Sequence, residues 1–93
     1  MTPYYDDLDN LREGFTHVVF HRIHPEKNEA RFYYLAWQPV LFDGWAVVRI
    51  HGRCGAWQRF LPPLHFPSLE EAWPTIRAII RRRLGHGYEL LLG

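Results

Sequence analysis

The fold is decided by residues 31–51, which read RFYYLAWQPVLFDGWAVVRIH. Two runs in this stretch, 31–38 and 45–51, are rich in aromatic and β-branched side chains, which favour strands. Pro39 is expected to end the first strand because it has no backbone N–H to donate. Asp43-Gly44 is a typical turn signal between two strands. The stretch therefore predicts an antiparallel pair of strands.

Further segments extend the predicted sheet on both sides of this pair. Residues 16–23 precede it and are separated from it by the turn-rich residues 24–29. Residues 56–61 follow it, after a turn bracketed by Gly52 and Gly55, and Pro62-Pro63 closes the strand. Residues 86–92 are expected to return as a short edge strand. Strands at such short spacing, separated by turn signals, predict an antiparallel meander of four to five strands.

One helix is predicted after the strands. Ser68 and Glu71 have the spacing of a capping box, with Ser68 as the N-cap. Apolar residues then recur about every 100° of helix rotation, and Gly85 is the expected stop. Pro74 conflicts with this pattern, because a proline inside a helix removes a hydrogen bond, so we expect a kink or a loose first turn. The predicted fold class is α+β, an antiparallel sheet with one C-terminal α-helix packed on it.

Composition narrows the class of protein. The chain has 93 residues, enough for one small domain. Apolar residues make up 47% of it, which is too many for a disordered chain. No stretch of about 18 residues lacks charges, so no membrane-spanning helix is expected. The acidic N-terminus is not typical of a signal peptide, and a single cysteine cannot form an internal disulfide. We therefore expect a cytoplasmic protein.

Charge divides the chain into two parts. Residues 1–30 carry three basic and six acidic residues, a net charge of −3, whereas residues 31–93 carry eight arginines and four acidic residues, a net charge of +4. We interpret residues 1–15 as a loosely attached acidic arm and residues 16–93 as the folded domain. One hypothesis is that the acidic side chains of the arm, Asp6, Asp7, Asp9 and Glu13, fold over a basic site.

The sequence gives little support for catalysis or metal binding. His17 and His21 share one face of a strand but are separated by about 13 Å at about 3.3 Å per residue, too far to bind one ion. Ser68 is the only serine and serves better as a cap. Cys54 is followed by Gly55 and reads as a small turn residue, without a recognisable base beside it. The sequence predicts no enzyme, no metal site and no cofactor.

The arginines are more informative. Ten of the eleven basic residues are arginine, whose planar guanidinium suits phosphate and carboxylate. Strand alternation places Arg49, His51 and Arg53 on one side of the sheet. A second group, on the helix, consists of Arg77, Arg81, Arg82 and Arg83. A solvated helix face and a phosphate-binding patch both remain open as interpretations of this second group.

A family resemblance appears at Arg49-Ile50-His51-Gly52-Arg53-Cys54-Gly55. With the preceding residues 31–48, this stretch resembles a bacterial WGR domain, which is named for a Trp-Gly-Arg motif. Here His51 replaces the motif tryptophan, while Gly52 and Arg53 are retained. The helix start at 68–72, the basic run at 81–83 and Gly87-Tyr88 also fit the family pattern. The resemblance covers about Val18 to Tyr88.

The resemblance implies both a fold and a role. The fold is an antiparallel sheet with one helix packed on it. In poly(ADP-ribose) polymerases, the WGR domain helps to recognise DNA breaks, and the transfer chemistry lies in another domain. The implied function is a non-catalytic module that binds nucleic acid, above all DNA. The expected contacts are Arg49, His51, Gly52, Arg53, Arg81 and Arg82. The alternative is a protein-interaction module that docks an acidic partner; neither function involves a membrane.

Overall fold

The computed structural model describes residues 8–41 and 44–91. Within these ranges the chain forms a six-stranded antiparallel sheet and one α-helix. The strands are β1 (His17–His24), β2 (Glu29–Val40), β3 (Gly44–Arg53), β4 (Gln58–Phe60), β5 (Leu64–His65) and β6 (Glu89–Leu91), and the helix is α1 (Leu69–Gly85). Two 3-10 helices cover Leu8–Leu11 and Pro25–Lys27. The predicted α+β class is confirmed.

The sheet is a meander with one late addition at its edge. The strand order is β4-β3-β2-β1-β6, and β5 also pairs with β3. Four to five strands were expected, and the strand that was not expected is β5, which has two residues and follows Pro62-Pro63. Asp43, the first residue of the predicted Asp-Gly turn, lies outside the described residues, while Gly44 has a φ of +78°.

The expectation that Pro39 ends its strand is wrong. β2 continues to Val40, and Pro39 pairs with Trp45 of β3. The register of β1 starts with His17 opposite Ala36, so β2 lies at a sheet edge on that side when it reaches Pro39. A proline is tolerated at such an edge, because the missing N–H has no partner there to lose.

One face of the sheet packs against α1, and we call it the helix face. Its core residues are Val18, Phe20, Tyr33, Leu35, Trp37 and Val47, which alternate along β1, β2 and β3. The helix adds Ala72, Trp73, Ile76 and Ile80, all of them buried. The apolar side chains that recur every 3.6 residues on the helix thus pack against those that alternate every two residues on the strands, and together they form one core.

The helix begins at the predicted cap. The Ser68 hydroxyl accepts a hydrogen bond from the Glu71 N–H at 3.2 Å, which satisfies one of the free donors of the first turn. The helix runs from Leu69 through Pro74 without interruption. Pro74 is exposed, and the hydrogen bond that it lacks would have gone to the carbonyl of exposed Glu70, in the first turn. Water satisfies such a carbonyl, so the helix tolerates the proline.

The helix ends at Gly85, as predicted, but the left-handed residue that closes it lies two positions later. Gly85 is the last helical residue, and the left-handed position is Gly87, with a φ of +85°. The Tyr88 N–H donates to the Arg83 carbonyl at 3.1 Å, and the Gly87 N–H donates to the Leu84 carbonyl at 3.2 Å. This pair of bonds is a Schellman motif. It turns the chain back towards the sheet and places Tyr88, which is buried, beside Arg83.

The described part of the N-terminal segment is attached to the domain, not loosely held as expected. Leu8 and Phe15 are buried in the core. Asp9 accepts hydrogen bonds from Trp73 Nε1 at 2.9 Å and from Arg77 Nη1 at 3.2 Å. Two apolar anchors with a charged hydrogen bond between them hold the segment on α1. Residues 1–7, which include Asp6 and Asp7, lie outside the described residues.

No helix in the described ranges is long and apolar enough to cross a membrane.

Candidate functional site

A cationic groove lies between α1 and the outer half of the helix face. It has a volume of about 720 Å³. We call it the arginine groove, because four arginines and one histidine line it. These five side chains are Arg31, Arg49, His51, Arg82 and Arg83. The other lining residues are Tyr33, Leu61, Pro74, Thr75, Ala78, Ile79 and Tyr88.

Register builds the floor of the groove. Tyr33 pairs with His51, and Leu35 pairs with Arg49, so these side chains share the helix face. Leu35 lies beneath the helix and is fully buried, whereas Arg49 and His51 are half-buried, one strand farther out. The His51 ring is stacked with Tyr33, with 6.1 Å between centroids and 12° between planes. Trp57 and His51 form an edge-to-face pair, with 6.3 Å between centroids and 82° between planes.

The last turns of α1 form the wall. The Arg83 guanidinium carbon lies 4.8 Å from the Tyr33 ring centroid and 5.6 Å from that of Tyr88. Guanidinium groups are attracted to aromatic faces at such distances. Arg82 precedes Arg83 and lines the same groove from an exposed position. The Schellman motif therefore supplies one of the two rings that hold Arg83 in place.

Two arginines that line the groove each have a buried Nε atom without a hydrogen-bond partner among the described residues. Arg49 donates from Nη2 to the Pro62 carbonyl at 3.1 Å, but its buried Nε has no partner among the described residues. The buried Nε of Arg83 is in the same state. Buried donors without partners are costly, roughly 1–3 kcal/mol each. None of the residues that line the groove in the described ranges is acidic. An anion would therefore enter a groove that the protein itself does not neutralise.

The pKa of His51 is lowered by its surroundings in the groove. Burial lowers the pKa of its imidazole below the usual 6.5, and the positive charges of Arg59, Arg83 and Arg31 lower this pKa further. Each of these causes disfavours the protonated ring. His51 is therefore predominantly neutral at pH 7 while the groove is empty, and it gains a proton more readily when an anion offsets the arginines.

Comparison with known protein families matches residues 16–91 to the WGR domain. The chain belongs to the WGR family. No curated protein and no solved structure gives a significant match. WGR domains are nucleic-acid-binding modules as a class, and the match spans the whole sheet and helix described above.

Three of the six expected contact residues meet in the groove of this WGR domain. They are Arg49, His51 and Arg82. Arg81 is exposed on α1 and does not line the groove. It differs from Arg82 by one position, about 100° around the helix, and this rotation separates the two side chains.

Gly52 has a structural role that the sequence did not indicate. It is buried where β3 meets β4. A Cβ atom at this position would overlap the Trp57 carbonyl oxygen and would lie 2.8 Å from the Gln58 Cα. Glycine therefore lets the β4 backbone approach β3 closely. Its position in the register places it on the face opposite the groove.

Arg53 bonds to a turn of the domain itself. It donates from Nη1 to the Asn28 carbonyl at 2.9 Å and from Nη2 to Asn28 Oδ1 at 3.1 Å. Asn28 has a left-handed conformation, with a φ of 52°, and ends the 3-10 helix between β1 and β2. These two bonds tie the end of β3 to this turn, and Arg53 does not line the groove.

Arg31, Arg83 and the two tyrosines, Tyr33 and Tyr88, were not expected in the site. Alternation along β2 places Arg31 on the same face as Tyr33. Which side chains of β3 lie beside Arg31 depends on the register of the two strands, which the sequence does not show. Arg83 lies on the apolar face of α1, as its spacing indicates. Its guanidinium lies over the rings of Tyr33 and Tyr88 and lines the groove there. In the described part of the chain, no group of three or more His, Cys, Asp or Glu residues is arranged to hold a metal ion.

Proposed function

We propose that this WGR domain is a non-catalytic module that binds DNA by placing the phosphate backbone in the arginine groove. The observation that carries the proposal is convergence: four arginines and His51, from β2, β3 and α1, line one groove without an acidic residue among its described lining residues. A polyanion gains from each of these charges at once, and it releases counterions as it binds.

The chemistry of the groove favours phosphate. Guanidinium groups bind phosphate oxygens through paired hydrogen bonds. Arg82 is exposed and has no ion-pair partner among the described residues, so it is free to make such a pair. His51 adds a further donor when it is protonated. Contacts of this kind position a nucleic acid without reading its bases, so we expect binding to be largely independent of sequence.

The replacement of the motif tryptophan by His51 reduces the contribution of stacking to binding relative to that of charge. Imidazole offers a smaller stacking face than indole, and in this structure Tyr33 already occupies one side of the His51 ring. Stacking on a base or sugar is therefore weak at this position, and charge supplies most of the affinity. Binding of this kind falls steeply as salt is raised.

The same groove offers a route to the alternative function. Carboxylates of an acidic protein suit guanidinium groups as phosphates do. Arg53, whose guanidinium also suits a carboxylate, already donates two hydrogen bonds to Asn28 beside the groove. A stoichiometric protein partner that remains bound after nuclease treatment would favour this alternative over DNA.

Fluorescence anisotropy with a labelled, blunt duplex tests the proposal. Arg82→Ala and Arg81→Ala form a matched pair, because both remove one charge from the same turn of α1 and only Arg82 lines the groove. We expect micromolar binding by the wild-type domain. Arg82→Ala should weaken it about five- to tenfold near 0.1 M salt and lower the salt slope by about 0.9, the loss of one phosphate contact. Arg81→Ala should change affinity by less than about twofold.

Two results would overturn this assignment. Absence of binding at low salt would remove the DNA function itself. Equal losses for the two variants would show that total charge matters and that the groove does not.

A further inference from the structure

The face of the sheet opposite α1, which we call the open face, has an unusual composition. The register places on it Val19, Ile23, Phe32, Tyr34, Val48, Ile50, Phe60 and Leu91, and also the polar side chains of His17, His21, Gln38, Gln58 and His65. None of these side chains belongs to the core on the helix face. Ile23 is 44% exposed, Phe60 is 64% exposed and Leu91 is 40% exposed. Large exposed apolar faces of this kind mark interaction sites.

Charge is almost absent from the open face. All ten arginines and Lys27 lie elsewhere, on the helix face, on α1, in turns or in the N-terminal segment. The carboxylate that the described strands place on it is Glu89, at the β6 edge, where it lies 3.6 Å from His21 Nε2. A nucleic acid or a strongly charged protein finds little to bind on such a surface.

We propose that the open face is the interface of a homodimer, in which two copies of this chain pack sheet against sheet. A partner for this face must itself present an apolar surface of low charge, and the chain supplies one at its own concentration. Two copies that meet here bring no arginine near another. Contact through the helix face would instead oppose two positive grooves. Aligned sheets pack about 10 Å apart with interdigitated side chains, and a two-fold axis uses the same patch twice.

The size of the face is sufficient for a dimer. The molecule measures 43 × 34 × 18 Å, and a domain of one sheet and one helix layer is thinnest across its layers. The open face is smaller than this outline: the five strands of the order β4-β3-β2-β1-β6 span about 24 Å at about 4.8 Å per strand, and β2, with 12 residues, is about 40 Å long. A contact over most of this face would approach the roughly 800 Å² that each partner contributes to a standard interface.

The dimer leaves both arginine grooves free. They lie on the helix faces, and these point outwards when the open faces meet. The inference does not depend on what the groove binds, so the two proposals are tested separately.

Sedimentation equilibrium of the full chain over about 5–200 µM tests the proposal, a range that covers ordinary dimer affinities. We expect a species of twice the 11.1 kDa chain mass to accumulate with concentration. Phe60→Glu and Ile23→Glu, on two distant strands of the face, should each weaken dimerisation about tenfold or more, as loss of an interface anchor does. Leu41→Glu is the matched control, because Leu41 is 80% exposed and follows the end of β2, outside the face.

Circular dichroism shows whether each variant remains folded, and the wild-type mass is informative whatever the variants do. A wild-type monomer at every concentration would overturn the proposal and leave the face to a different chain. Equal dissociation by Leu41→Glu would also overturn it, because the effect would then come from surface charge in general.

Discussion

The Arg83 guanidinium carbon lies 4.8 Å from the centre of the Tyr33 ring. This contact joins the last turns of α1 to β2, and both residues line the arginine groove. Because the Schellman motif places Tyr88 beside the same guanidinium, Arg83 contacts two rings that are themselves in edge contact, with 6.4 Å between their centroids. The charge of the groove is therefore organised before any ligand arrives, which reduces the entropy lost on binding.

Arg49 and Arg53 should differ in their effect on DNA binding, although both lie on β3 and on the same face. We expect Arg49→Ala to weaken binding about five- to tenfold near 0.1 M salt, because it removes one groove charge. Arg53→Ala should change affinity by less than about twofold, and should instead cost about 1 kcal/mol of stability through its lost bonds to Asn28. Anisotropy titrations and urea unfolding of both variants measure these effects. A larger affinity loss for Arg53→Ala would contradict the groove assignment.

DNA affinity should increase as the pH falls from about 7.5 to about 5.5. Burial and the charges of Arg59, Arg83 and Arg31 lower the pKa of His51 in the empty groove. A bound phosphate offsets those charges, so the complex takes up a proton that the free protein binds poorly. The gain should be about three- to tenfold, and less in His51→Gln, whose side chain does not titrate. Identical pH profiles for the two proteins in anisotropy titrations would contradict this prediction.

Without DNA, the effect of His51 on stability has its own sign. Its pKa is lower in the folded protein than in the unfolded chain, so the unfolded chain binds the proton more readily. Stability should therefore fall as the pH drops below about 6.5, the ordinary value of the unfolded group. Urea unfolding at several pH values should show a smaller fall for His51→Gln. An equal fall in both proteins would count against a lowered pKa for His51.

Gly52→Ala should destabilise the domain by about 2–3 kcal/mol, because the new Cβ overlaps the Trp57 carbonyl and forces β4 away from β3. Gly85→Ala is the control. Its Cβ meets nothing within 4 Å at the end of α1, and we expect a gain of about 0.5–1 kcal/mol there. Urea unfolding distinguishes the two, and a neutral Gly52→Ala would refute the close approach of the two strands.

Asp9 should make the N-terminal segment sensitive to acid. The hydrogen bond from Trp73 and the charge and hydrogen bond of Arg77 lower the pKa of the Asp9 carboxyl, against an opposing effect of burial. A lowered carboxyl pKa gives stability that is present above the ordinary value of 3.8 and is lost as the pH falls through the folded value. We expect Asp9→Asn to lose less stability than wild type between about pH 6 and about pH 3. Thermal unfolding at the two pH values provides the measurement, and an equal loss would contradict it.

Local patterns were sufficient for much of the fold. The two-residue period of 45–51 and 31–38 predicted β3 and β2, and the Ser68 cap with its apolar spacing predicted where α1 begins. These features depend on neighbours within a few positions, which the sequence displays directly. The expectation for Pro39 was wrong because the effect of a proline on a strand depends on whether another strand lies beside it, and neighbouring residues in the sequence do not show this.

The sequence by itself determined the α+β class, the family and the positive charge of the second half of the chain. Only the tertiary structure decided which arginines act together. Alternation gave Arg49 and Arg53 the same face, but the turn at Asn28 takes Arg53, and one helix position separates Arg81 from the groove that Arg82 lines. The lateral position of α1 over the sheet results from packing between residues far apart in sequence. It therefore cannot be predicted from a local sequence pattern.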